Sequence, residues 1–325
     1  MKTLYSFDEV LEIVNTNINK VEYNHHPITL FQPITYILSL GGKRVRPALA
    51  LMSYNLYKEN IEKVIPIALA IEIFHNFTLL HDDLMDKADM RRGKPAVHIK
   101  WNDNVAVLSG DAMLIEAYKE IAKTDSRYLQ QVLDLFSVTA TEICCGQQLD
   151  MEFEKRMDVT IPEYIEMIRL KTAVLLGCAL KEGAIVGGAS EEDANNLYDF
   201  GINVGLGFQL KDDLLDVYGD SKSFGKKIGG DILCNKKTFL LINALSDNKA
   251  RTELISWIDK TDFDENEKIT AVTRIYDSLD LKKKSENLIA EYYHKAVACL
   301  DKVSIEKEKK TELYNLAENL MSRIS

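Results

Sequence analysis

Ile71-Glu72-Ile73-Phe74-His75-Asn76-Phe77-Thr78-Leu79-Leu80-His81-Asp82-Asp83-Leu84-Met85-Asp86 carries an apolar stretch straight into three acids. In a helix, residues four apart share a face, so Asp82 and Asp86 converge. Two carboxylates at that spacing repel each other, and the helix tolerates them best with a cation between them. Lys211-Asp212-Asp213-Leu214-Leu215-Asp216 repeats the pattern behind a second apolar stretch, Val204-Gly205-Leu206-Gly207-Phe208. Oxygen donors at these positions suit a hard cation such as Mg²⁺, which keeps part of its water and shares phosphate oxygens. A single acid triplet can be a solvated face. Two copies, each opening after apolar sequence, favour metal.

Helical spacing extends outward from both triplets. Leu4, Val10, Leu11, Ile13 and Val14 fit one face, as do Tyr164, Ile165, Ile168, Leu170, Val174 and Leu175. No proline follows Pro162, and no sustained period-2 alternation supports a sheet. Breaks are expected near Asn24–Pro27, Leu40–Gly42, Met90–Pro95, Thr124–Arg127, Asp158–Pro162, Gly219–Gly230 and Asp259–Asn266. The expectation is an all-α chain of ten or more helices, residues 1–325 forming one domain.

Composition narrows the function. Fifty Asp and Glu against 40 Lys and Arg give a net charge of −10 over 325 residues. Nucleic acid and anionic membranes demand positive surface, so neither is expected as a partner. The apolar runs at 64–71 and 172–180 fall short of a bilayer span, and no membrane anchor is expected. Asp8 and Glu9 interrupt any signal-peptide core. Five cysteines at no zinc spacing read as reduced core residues of a cytoplasmic protein.

Within this acidic chain the basic residues cluster at glycine-bearing turns: Gly41-Gly42-Lys43-Arg44-Val45-Arg46-Pro47, Arg91-Arg92-Gly93 and Gly225-Lys226-Lys227. Glycine lets backbone approach an anion, arginine offers a planar fork of donors, and lysine supplies a point charge. Any one cluster alone is most simply a solvated loop. Combined with two acid faces they imply a polyphosphate held between metals and cations. Lys171-Thr172 is a weaker signal, a charge inside the apolar run Met167-Ile168-Arg169-Leu170-Lys171-Thr172-Ala173-Val174.

At these residues the chain resembles the trans-isoprenyl diphosphate synthases, or polyprenyl synthetases. The two aspartate-rich motifs match Asp82–Asp86 and Asp212–Asp216. GGKxxRP, RRG, GD, GQxxD, KT and FQxxDD match elements beginning at Gly41, Arg91, Gly110, Gly146, Lys171 and Phe208, in the family's order. His75 stands seven residues before the first aspartate. The resemblance implies a helical bundle around a deep cavity, usually a homodimer. It implies that Asp82, Asp86 and Asp212 ligate three Mg²⁺ ions, with Asp83, Asp213 and Asp216 assisting. Arg91, Lys171, Thr172, Gln209, Lys226 and Lys236 would contact an allylic diphosphate. Lys43, Arg46, His75 and Arg92 would hold isopentenyl diphosphate. Without the family, His75 beside Phe74 and Phe77 reads as a core histidine.

The implied reaction ionises the allylic carbon–oxygen bond, adds isopentenyl diphosphate to the cation and loses a proton. Three departures stand out. Lys227 competes with Lys226 for one role, Asn235 replaces the glycine common before Lys236, and no basic tail follows Met321. Phe77 lies five residues before Asp82, Thr78 four and Phe74 eight. One aromatic at the fifth position with a small residue at the fourth resembles the archaeal geranylgeranyl type. A C20 product is therefore expected first and C15 second, with Phe74, Phe77 and Thr78 setting the length. The alternatives are a non-catalytic subunit of a heteromeric synthase, which typically loses part of an aspartate motif, and a terpene cyclase, which needs no second diphosphate site.

Overall fold

The computed structural model describes residues 4–23, 25–219 and 228–322. In chain order its helices are α1 (Phe7–Lys20), α2 (Ile28–Ser39), α3 (Val45–Asn55), α4 (Ile65–Met85), α5 (Val97–Lys100), α6 (Asp103–Ile121) and α7 (Ser126–Glu154). There follow α8 (Ile161–Ile168), a π-helical turn at Arg169–Ala173, α9 (Val174–Gly187) and α10 (Glu191–Tyr218). The chain ends with α11 (Gly230–Leu233), α12 (Phe239–Ser246), α13 (Asn248–Ile258), α14 (Glu265–Ser278), α15 (Leu281–Lys302) and α16 (Thr311–Ser322). The all-α expectation holds. Among the described residues the strands are two short ones, Met90–Arg91 and Lys94–Pro95, paired antiparallel. Arg92 (φ 51°) and Gly93 (φ 73°) form their turn, the pair of positive angles a two-residue hairpin favours.

Local chemistry explains several boundaries. Ser6 and Glu9 form a reciprocal capping box at α1, and Thr160 and Glu163 do the same at α8. Asn102, Thr238, Asp247 and Asp264 cap α6, α12, α13 and α14 through their side chains.

The chain divides into two compact units. The first comprises Met1–Ser137, Cys178–Tyr198 and Val303–Glu312. Its core includes Ile34, Ile37, Leu49, Leu51, Ile67, Ile71 and Phe74, with α4 packed chiefly against α6 and α3. The second comprises Val138–Gly177, Asp199–Lys302 and Leu313–Ser325. There Val217, Ile232, Leu240, Leu241, Leu254, Ile275 and Tyr276 belong to one buried cluster.

Two expectations require correction. All five cysteines are free, but only Cys178 is buried; Cys144, Cys145 and Cys234 are exposed. Free cysteine is usually buried, so residue type misplaced these three, which are exposed on α7 and at the end of α11. The segment Ile61–Met85 is also long and apolar enough, by length and composition, to cross a bilayer. In this structure Ile67, Ile71, Phe74 and Leu80 bury that apolar character inside the first unit.

Candidate active site

The first aspartate motif occupies the last turn of α4, where the negative end of the helix dipole adds to the repulsion among its acids. The three acids separate by the helix's rotation. Asp82 is half-buried, Asp86 is exposed, and Asp83 turns inward with about 1% of its surface accessible. Asp83 receives Arg91 in a forked pair, both carboxylate oxygens lying 3.0 Å from Arg91 Nε and Oδ1 also bonded to Nη2. The hairpin that carries Arg91 is thereby fastened to the helix that carries the acids. Asp82 and Asp86 present oxygen donors one turn apart.

The basic residues of the first unit gather beside this helix. Arg44 is buried at the start of α3, where it pairs with Glu72 and donates to the Leu38 carbonyl. That makes Arg44 an internal brace for the turn. Arg92 donates to the Gly41 carbonyl, and a Cβ on Gly42 would lie only 2.8 Å from Arg92 Nη2. Gly42, at φ 138°, holds a backbone conformation that a residue with a Cβ adopts only under strain. Lys43 follows it, exposed. Arg46 Nη1 lies 3.3 Å from His75 Nε2, and Arg46 Nε is buried without a hydrogen-bond partner among the described residues.

Burial and then Arg46, Arg92, Arg91 and Arg44 hold the His75 ring well below its ordinary pKa, so it is neutral near pH 7. Burial also lowers Arg46 to about 10, which leaves it charged. The unit therefore holds Arg46, Arg91 and Arg92 near a neutral imidazole, Arg91 already forked to Asp83, and guanidinium donors of this kind suit an anion.

The second unit assembles differently. The π-turn interrupts what would otherwise be one helix from Ile161 to Gly187, placing Lys171 and Thr172 at the irregularity. Two glycines admit it. A Cβ on Gly146 would stand 2.4 Å from the Lys171 nitrogen, and one on Gly205 would stand 2.6 Å from Ala173 Cα. Lys171 Nζ donates to Asp150 Oδ2 at 2.6 Å. Thr172 Oγ1 donates to Gln209 Oε1 at 3.1 Å, and Gln209 Nε2 donates to Asp213 Oδ1 at 2.8 Å. Tyr164 donates its hydroxyl to Asp213 Oδ2 at 2.6 Å.

Asp213 is buried, and burial followed by Asp231 raises its pKa against the opposing Lys236, Tyr164 and Gln209. Asp212 is half-buried. Asp216 accepts the Asp231 amide at 2.9 Å, while its own carbonyl accepts the Gly229 amide at 2.6 Å. It thus holds the start of α11. Burial works against the charge of Lys236, but Asp231, Asp213, Asp150 and Asp212 outweigh it and raise the pKa.

The structure thus gathers Arg46, His75, Arg91 and Arg92 with the first motif in one unit. It gathers Lys171, Thr172, Gln209 and Lys236 with the second motif in the other. Lys226 lies outside the described residues. Phe74 and Phe77 are buried, with ring centroids 5.5 Å apart, and Thr78 is half-buried. Sequence reasoning missed Tyr164, whose ring fits the apolar stripe of its helix. Asp150, the last residue of the GQxxD element that begins at Gly146, holds Lys171, a task the motif does not signal.

The family model for polyprenyl synthetase matches residues 27–276. The chain belongs to the polyprenyl synthetase family. As such it is a trans-prenyltransferase. It is 38% identical over 299 residues to a geranylgeranyl diphosphate synthase of Methanosarcina mazei, covering 91% of this chain and 90% of that one. A crystal structure of a geranylgeranyl pyrophosphate synthase superposes with a TM-score of 0.93 at 43% identity, over 99% of this chain and 100% of the other. A geranylgeranyl pyrophosphate synthase of Corynebacterium glutamicum, solved with isoprenyl diphosphate and magnesium, gives 0.87 at 26% identity over 98% and 100%.

The donor chemistry fits a divalent metal of the polyprenyl synthetase kind. Among the described residues no three His, Cys, Asp or Glu side chains form a closed cage. Mg²⁺ commonly takes one or two carboxylates and completes its shell with water and phosphate, and the pair Asp82 and Asp86 offers that.

Proposed function

We propose that the chain is a Mg²⁺-dependent geranylgeranyl diphosphate synthase, extending allylic diphosphates of five, ten or fifteen carbons with isopentenyl diphosphate. The observation that carries this reading is the cationic pair Arg46 and Arg92 around a neutral His75. A cyclase has no use for it, because only a condensing enzyme must seat a second diphosphate. The names of the relatives favour the C20 product.

Three Mg²⁺ ions, drawing on Asp82, Asp86 and Asp212, would neutralise the charge that grows on the departing allylic diphosphate. Arg91, Lys171, Thr172, Gln209 and Lys236 would orient that diphosphate, with Lys226 as a further contact. Lys43, Arg46, His75 and Arg92 would hold isopentenyl diphosphate. A neutral His75 donates or accepts a hydrogen bond without adding a fourth positive charge to Arg46, Arg91 and Arg92. Asp83 keeps Arg91 in place, and Asp213 keeps Gln209 in place. Apolar walls exclude water from the allylic cation. The reading includes residues 1–325 acting as one catalytic domain, and a cytoplasmic homodimer.

Incubation with isopentenyl diphosphate, Mg²⁺ and each of the C5, C10 and C15 primers tests it, with chain length read by chromatography. A dominant C20 product is expected from all three. No product from any primer would sink the proposal, and a C15 end point would sink the C20 assignment alone.

A further inference from the structure

Lys268 is an anomaly. It lies on α14 with about 1% of its surface accessible, yet no carboxylate lies within ion-pair reach among the described residues. Its Nζ donates to Asn235 Oδ1 at 2.9 Å and to the Leu233 carbonyl at 3.4 Å, and stands 4.3 Å from the centroid of the Phe263 ring. A buried ammonium bonded only to neutral groups carries a desolvation penalty that a methionine of similar length would avoid. What the ammonium adds is direction. Both of its hydrogen bonds fall on the same turn.

That turn is the end of α11. Cys234 is the last residue with helical angles, and Asn235 follows in the left-handed region at φ 54°. The Asn235 amide bonds to the Ile232 carbonyl at 3.2 Å, and the Lys236 amide returns to the Asp231 carbonyl at 2.9 Å. These are the two bonds of a Schellman cap, in which glycine normally takes the left-handed position. Asparagine tolerates that conformation better than most residues and brings an oxygen that glycine lacks. Lys268 bonds to that oxygen. Asn235 Nδ2 reaches the Ile258 carbonyl at 3.4 Å, so the side chain is held at both ends. The residue immediately after this clamp is Lys236.

The small helix is fixed at its start by Asp216 and at its end by Lys268. Asp231 stands at the first of these points, and Lys236 directly follows the second. The geometry points to Lys268 as a positioning residue for Lys236, acting through Asn235. It aims the Lys236 ammonium at the diphosphate that Asp212 helps to hold. The inference rests on the proposed contact of Lys236 with the allylic diphosphate.

Steady-state kinetics of K268M, N235G, the double variant and K236A test it, with each substrate varied in turn. K268M keeps the bulk and loses the donors. N235G keeps the backbone angle and loses the acceptor, and it perturbs the fold least. Each should raise KM for the allylic diphosphate roughly tenfold while leaving KM for isopentenyl diphosphate within twofold. The double variant should be no worse than the more affected single, because both remove one device. An unchanged allylic KM in N235G, equal rises in both KM values, or additive effects in the double variant would overturn the inference. K236A separates the two levels. If it leaves the allylic KM unchanged, the assignment of Lys236 itself is wrong and the inference falls with it. If K236A raises that KM and N235G does not, only the clamp is refuted.

Discussion

Phe77→Ser tests the floor of the growing chain, and the structure sets how far the product should lengthen. An α-helix rises about 1.5 Å per residue, so Phe77 lies about 7.5 Å and Phe74 about 12 Å along α4 from Asp82. The rings are stacked in sequence. Phe77 packs against His81 at 4.8 Å and against Phe74 at 5.5 Å, Phe74 against Phe136 at 5.2 Å, and Phe136 against Tyr118 at 5.1 Å. Removing Phe77 therefore opens about 4.5 Å before the next ring, close to the length of one isoprene unit. The stop behind it is firmer, because Phe74 is braced from α7 by a ring that is itself fully buried. We expect F77S to shift the main product from C20 to C25, with little beyond, and to leave the first condensation intact. Loss of a buried phenyl ring costs about 3–5 kcal/mol, so thermal unfolding must be measured alongside, and product assays run well below the lowered Tm. Chromatography of the dephosphorylated alcohols gives the answer. An unchanged distribution would mean that Phe77 is only core. A broad spread to C30 and above would mean that Phe74 and Phe136 do not close the shaft.

Asp82→Ala and Asp212→Ala should each lower turnover by several orders of magnitude with circular dichroism unchanged. For Asp82 the apo fold should be unaffected or up to about 0.5 kcal/mol more stable, since a like charge leaves a helix C-terminus; near-normal rates in either variant would refute the metal reading. Arg46→Ala should raise KM for isopentenyl diphosphate more than that for the allylic substrate. It should also move the His75 titration upward toward its ordinary value, because Arg46 is the largest charge holding it down; NMR of the ring protons checks this. Glu182→Leu should stabilise the fold increasingly as pH rises. Glu182 is fully buried in the first unit beside Cys178, and burial pushes its carboxyl well above the ordinary range. The folded chain thus keeps a proton that the unfolded chain releases above about pH 4.3, and the wild type loses up to about 1.4 kcal/mol per pH unit between the two values. Urea unfolding at pH 5, 6.5 and 8 should show that slope in the wild type and not in the variant; equal slopes would refute it.

The sequence made the helical class, about half of the breaks and both acid motifs legible, because those depend on spacing and residue type within a few turns. It missed the turn at Gly188 between α9 and α10, although Gly187-Gly188 announced it. The π-turn at Lys171 left no local trace. The residues that leave room for it, Gly146 and Gly205, lie on two other helices, where a Cβ would collide with its backbone. Tyr164 was hidden for a similar reason: its ring fits an apolar stripe, and only its distance from Asp213 gives the hydroxyl a task.

The two aspartate motifs show most sharply what local pattern leaves out. On paper HDDLMD and KDDLLD are two copies of one device. In space their inner acids are answered in opposite ways. Asp83 meets a guanidinium from a hairpin eight residues on, which cancels its charge and braces Arg91. Asp213 takes its hydrogen bonds from a phenol and an amide, and burial, joined by Asp231, outweighs Lys236, Tyr164 and Gln209 and raises its pKa. Asp83 is therefore forked to a cation, whereas Asp213 is hydrogen-bonded into a relay of neutral groups ending at Thr172, with Lys236 acting on it through charge. Two acids that read alike in the sequence thus differ because the fold sets a guanidinium fork against one and neutral donors against the other.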